Sequence, residues 1–138
     1  MNVKRFGLLV LVTALLITGS IVSAQGNRTL VRLRPVGRSG VSGFVLLRQL
    51  PNDGGTRINV IGFGLKPGNA YVSLYYDNHV CELEPYSADD VIGGIYTANR
   101  VGVGVTEGTA DDDLDEINSV SIRNASDFSL IACANVHP

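Results

Sequence analysis

Short runs of alternating or β-branched residues, each closed by a glycine- or proline-rich turn, constrain this chain more than any other feature. Thr29 to Val36 sets Val31 and Leu33 against Arg32 and Arg34. Val41 to Leu50 is a second run, ended by Pro51-Asn52-Asp53-Gly54-Gly55. Thr56 to Phe63 follows, then the turn Gly64-Leu65-Lys66-Pro67-Gly68 and a Tyr/Val/Leu run from Ala70 to Tyr76. Asp77 to Asp90 reads as a loop. Ile92 to Ala98, Val101 to Val105, Asn118 to Arg123 and Phe128 to Val136 complete the set. Period-two alternation belongs to half-buried strands, and no window carries the apolar spacing of a helix. Glycines inside these runs, such as Gly43, Gly62, Gly93, Gly94, Gly102 and Gly104, mark bends and close backbone approach and are not spaced to cradle a phosphate. The predicted fold is all-β: an antiparallel Greek-key β-sandwich or flattened barrel of seven to eight strands.

The first 24 residues have a different character. Lys4 and Arg5 precede an apolar run from Phe6 to Thr18, and Val22-Ser23-Ala24 closes it with small residues. That pattern is a secretory signal peptide cut after Ala24; a membrane anchor is the alternative. The exported domain is then residues 25–138, secreted or periplasmic, with no further apolar span to hold it in a membrane. Its 9 basic and 13 acidic side chains give a net charge of −4. No DNA-binding pattern is visible, and the full sequence's formal net charge of −2 argues against a generic polyanion binder, so no nucleic acid partner is expected.

The exported part contains both cysteines of the chain, Cys81 and Cys133. An even pair in an oxidising compartment reads most simply as one disulfide, with free thiols or metal ligands as the alternative. The chain has two histidines, His79 and His137, too few for the usual four-ligand zinc sites.

Several motifs together resemble the copper/zinc superoxide dismutase family. The Gly64-Leu65-Lys66-Pro67-Gly68 turn before an aromatic-rich strand is similar to the turn that precedes that family's His-x-His copper motif. Cys81 and the Leu130-Ile131-Ala132-Cys133 stretch stand where the family has the two halves of its disulfide. Gly108, Thr109, Asp113 and Ser119-Val120-Ser121-Ile122 resemble its later loop and strand. Chordin-repeat-type extracellular sandwiches carry a similar pattern. The resemblance implies a β-barrel scaffold, and the departures imply that its chemistry is gone. Ser73 and Tyr75 stand at the His-x-His positions, and Arg123 near that of the last copper histidine. No histidine lies between Glu82 and Val136. Leu130 replaces the substrate-steering arginine, and Asn124 to Asp127 is too short for the family's charged loop. Copper cycling needs imidazole ligands, and a fold does not carry its function with it.

Other clusters have ordinary and functional readings. Asp77, His79 and, at a distance, His137 offer weak copper or zinc ligands, set against a polar loop beside a disulfide. Asp111, Asp113 and Asp115 offer hard oxygens for calcium, set against a solvated loop, since the run lacks the glycine and distant glutamate of the helical calcium loop. Asn27 and Asn124 stand in glycosylation acceptor patterns. Charge is divided: residues 25–66 hold 7 basic and 1 acidic residue, and residues 67–138 hold 2 basic and 12 acidic. Neutralisation between neighbouring strands is the expected arrangement. Arg32, Arg34, Arg48 and Arg57 are the place for an anionic surface or protein partner. The sequence as a whole reads as a secreted, non-catalytic binding, adhesion or structural module with no cofactor. The alternative is a reduced copper or zinc site with residual dismutase-type activity.

Overall fold

Nine antiparallel strands form one curved, nearly closed sheet in the computed structural model, which describes residues 27–138. The signal-peptide reading lies outside the described residues. The strands are β1 (Arg28–Pro35), β2 (Ser42–Gln49), β3 (Thr56–Phe63), β4 (Ala70–Val72), β5 (Tyr75–Tyr76), β6 (Tyr96–Thr97), β7 (Gly104–Ala110), β8 (Ser119–Asn124) and β9 (Leu130–Asn135). They run in the order β6-β4-β8-β9-β1-β2-β3-β7, with β5 beside β8. Strand β6 also packs against β7, so the two ends of the sheet approach each other. Taking β4 and β5 as one interrupted strand, four successive strands lie in the order β8-β4-β6-β7, which is a Greek key. The fold is thus an antiparallel flattened barrel.

Alternation decides which side chains fill it. Leu33, Val45, Leu47, Ile58, Val60, Val120 and Ile122 are fully buried between the two walls. Each contributes about 1.5–3 kcal/mol by leaving water. A smaller cluster of Val72, Leu74, Tyr76 and Cys81 lies on the other side of β4, β5 and β8, beneath the loop after β5. Alternate residues of one strand thus enter two different cores, which is why every residue from Tyr71 to Tyr76 is buried.

Three strand boundaries differ from the sequence expectation. The run from Ala70 to Tyr76 breaks at Ser73, whose carbonyl accepts from the Ile92 amide, while that of Leu74 accepts from Ser121. On one edge the partner changes there from β6 to Val91 and Ile92, while the pairing with β8 runs through in one register. Of Ile92 to Ala98, only Tyr96–Thr97 is strand. The expected Val101–Val105 strand lies instead at Gly104–Ala110, with Val101 exposed in the preceding turn. Small residues occupy the inner face of β7 because neighbours lie against its backbone. A Cβ at Gly104 would come within 2.7 Å of Leu65 and 2.9 Å of Tyr96, and one at Gly108 within 2.7 Å of the Gly93 amide. The strand therefore has no apolar alternation to read.

Candidate functional site

The three positions that the resemblance assigns to copper ligands do not converge. Ser73 is fully buried, its Oγ 2.7 Å from the Tyr96 hydroxyl. Tyr75 faces the main core beside it. Arg123 enters the smaller core on the opposite side of the sheet. Its Nε donates to the Tyr76 hydroxyl at 2.9 Å, and its two terminal nitrogens donate to the Phe128 and Cys81 carbonyls at 2.7 Å each. A hydroxyl, a phenol and a guanidinium on two faces do not fit a copper or zinc centre.

Arg123 serves the disulfide loop instead. Cys81 is bonded to Cys133. Its backbone has a φ of 56°, a left-handed conformation that costs a non-glycine residue about 1 kcal/mol. The Cys81 amide donates to Ser119 Oγ at 3.1 Å and its carbonyl accepts from Arg123, so both polar groups of the strained residue are held by β8.

The weaker metal candidates are dispersed among three depressions. Asp77 lines one with Tyr75, Tyr76, Glu84, Asp90 and Asp112, about 270 Å³ in volume. His79 is exposed in another, its Nδ1 2.9 Å from Asn135 Oδ1. His137 lies in a third, its Nε2 donating to the Leu114 carbonyl at 3.0 Å. Among the described residues no group of three or more His, Cys, Asp or Glu is arranged to hold a metal ion. The calcium candidates are also separate. Asp113 Oδ1 accepts from Gln49 Nε2 at 2.7 Å, and Gln49 Oε1 accepts from the Leu114 amide. This clamp ties the acidic loop to the end of β2, while Asp111 and Asp115 are exposed to solvent.

The acidic depression has a clear electrostatic signature. Burial, then the Asp112 and Asp90 carboxylates, hold the Tyr75 phenol well above its ordinary 10.0. Asp112 lies above the usual carboxylate range, through burial first and then the charges of Glu116, Asp77, Asp90 and Asp111. Burial pushes Tyr96 up to about 12, opposed by its bond to Ser73.

The arginine candidates do come together. Strand registers place Arg28, Leu30, Arg32 and Arg34 of β1, Phe44, Leu46 and Arg48 of β2, Arg57, Asn59, Ile61 and Phe63 of β3, and Val105 and Glu107 of β7 on one outer face. Five arginines and one glutamate make that face net positive. Arg57 is paired with Glu107, the single ion pair among the described residues. Expected neutralisation between strands therefore occurs only there. Six apolar side chains fill the middle of the face, from Ile61 at 38 % to Leu30 at 66 % exposed.

Sequence reasoning found four of these arginines and missed Arg28 and the apolar patch. The signal was present in Phe44-Val45-Leu46-Leu47, where consecutive apolar residues must supply both faces of a strand. No protein-family model and no curated protein sequence matches the chain.

Proposed function

We propose that the chain is exported and that its barrel, a relative of the superoxide dismutase scaffold, is a non-catalytic binding module. It docks an anionic partner on the outer face of β1, β2, β3 and β7. The observation that carries this reading is the set of four arginines, Arg28, Arg32, Arg34 and Arg48, with no acidic partner around an exposed apolar patch. Charged residues with no internal counterpart, set around apolar surface, are the composition of an interaction site. The net charge of −4 over residues 25–138 hides this face, because most of the acidic residues lie elsewhere. Packing side chains at the resembled copper positions support the non-catalytic half of the reading.

Retention of the processed chain on immobilised heparin, used as a sulfated polyanion, tests it. The native chain should elute late in a salt gradient. A variant with Arg28→Ser, Arg32→Ser, Arg34→Ser and Arg48→Ser should pass nearly unretained, and equal retention of the two overturns the reading. Elemental analysis after copper and zinc exposure tests the non-catalytic half. The expected result is no stoichiometric metal, and one tight metal per chain with superoxide dismutation contradicts it.

A further inference from the structure

Three arginines from three strands meet in one row of the outer face. The β1–β2 register sets Arg28 opposite Arg48, and the β2–β3 register sets Arg48 opposite Arg57. Directly opposed residues have Cβ atoms about 5 Å apart, and like charges there repel. Glu107 pairs with Arg57 alone, so Arg28 and Arg48 carry unneutralised charge. The Arg57 Nε–H is buried without an acceptor, leaving the row under-satisfied within the chain. The row lines a depression of about 290 Å³ together with Leu46, Asn59 and Glu107.

On the reading of the outer face given above, we infer that this row is a seat for a phosphate- or sulfate-type oxyanion carried on a larger molecule. A tetrahedral oxyanion offers several oxygens at once, and guanidinium forks on neighbouring strands can each engage two of them. Its charge removes the repulsion between Arg28 and Arg48. The Asn59 amide adds an uncharged donor at the margin, and the Glu107 carboxylate confines the anion to the β1–β2 side of the row. Leu30 and Leu46, one row along, give the seat an apolar step. An ester whose organic part is apolar fits both. That chemistry is shared by a phospholipid headgroup and a soluble phosphate ester.

Calorimetric titration with inorganic phosphate tests the seat. Arg48→Ser should weaken phosphate binding about tenfold, the loss of one charge-assisted fork. Arg48→Lys, which keeps the charge without the fork, should fall between. Arg34→Ser, on the same face but outside the row, should leave phosphate affinity nearly unchanged. Equal loss in Arg34→Ser and Arg48→Ser means that only total charge matters; it overturns the seat while leaving the outer-face reading intact. Absence of any phosphate heat also overturns the seat, and loss of heparin retention as well would end both readings. Co-sedimentation with phosphatidylglycerol/phosphatidylcholine vesicles, against phosphatidylcholine alone, identifies the source of the anion. Binding only to the anionic vesicles, competed by excess free phosphate and weakened in Arg48→Ser, supports the seat with a lipid headgroup; vesicle binding that free phosphate and Arg48→Ser leave unchanged overturns it. Phosphate binding without vesicle binding supports it with a soluble ester.

Discussion

A guanidinium buried without a carboxylate beside it is costly unless its N–H groups find acceptors, and Arg123 meets that demand with a phenol and two backbone carbonyls. Removing it orphans the Cys81 and Phe128 carbonyls in a buried site. Arg123→Met should therefore lower unfolding free energy by about 2–4 kcal/mol in a urea titration; a loss near zero would show that the clamp is idle. The sequence brings Arg123 forward only as a missing histidine. Its packing role was illegible because its acceptors are a phenol and a carbonyl more than 40 residues away and a nearby backbone carbonyl, none of which a motif marks. Asp112 makes a second residue-scale case. Its carboxyl holds a proton to higher pH in the folded chain than its ordinary 3.8 allows in the unfolded one. The folded state thus binds more protons in the window just above 3.8, and stability falls as pH rises through it. Asp112→Asn should raise the thermal midpoint at neutral pH and leave it unchanged well below 3.8, where both states are protonated. An unchanged midpoint at neutral pH would contradict this.

At the scale of elements, the strands legible in the sequence are those whose alternating or unbroken apolar runs are closed by turns. Strands β1, β2, β3, β8 and β9 were each found to within about two residues, through alternation in β1, β3 and β8 and through unbroken apolar runs in β2 and β9. Strand β7 was displaced because its inner face carries only glycine, threonine and alanine, crowded by the Leu65 and Tyr96 side chains at Gly104 and by the Gly93 backbone at Gly108. The strand of β4 and β5 was read as continuous, and its pairing with β8 does run through; the break at Ser73 lies on its other edge, where Ile92 takes the place of β6 through a contact that the local sequence does not mark. The disulfide was legible, since the chain has only two cysteines. It joins residues 52 apart, which in the chain-entropy model constrains the unfolded state by about 4 kcal/mol. Cys81→Ala with Cys133→Ala should cost that amount, measured by denaturant titration. A loss under about 1 kcal/mol would mean that the Arg123 and Ser119 bonds hold the loop without the covalent link.

For the molecule as a whole, strand order and charge placement decide which residues share a face, and neither is local. The Greek-key order brings β7 beside β3, so Glu107 reaches Arg57 across 50 residues of chain. The sequence showed that basic residues precede acidic ones, but not that the arginines share one face with six apolar neighbours. Nor did it show that Asp77, His79 and His137 lie in three different depressions. On the proposed reading the barrel is a scaffold, the positions that the resemblance sets at copper ligands hold structural side chains, and binding takes place outside on β1, β2 and β3. Chemical-shift mapping of an isotope-labelled chain of residues 25–138, titrated with a heparin oligosaccharide, tests that claim most directly. The expected perturbations fall on Arg28, Leu30, Arg32, Phe44, Leu46, Arg48, Arg57 and Asn59. Perturbations centred instead on His79, His137 or the Asp112 depression, or none at all, would contradict it.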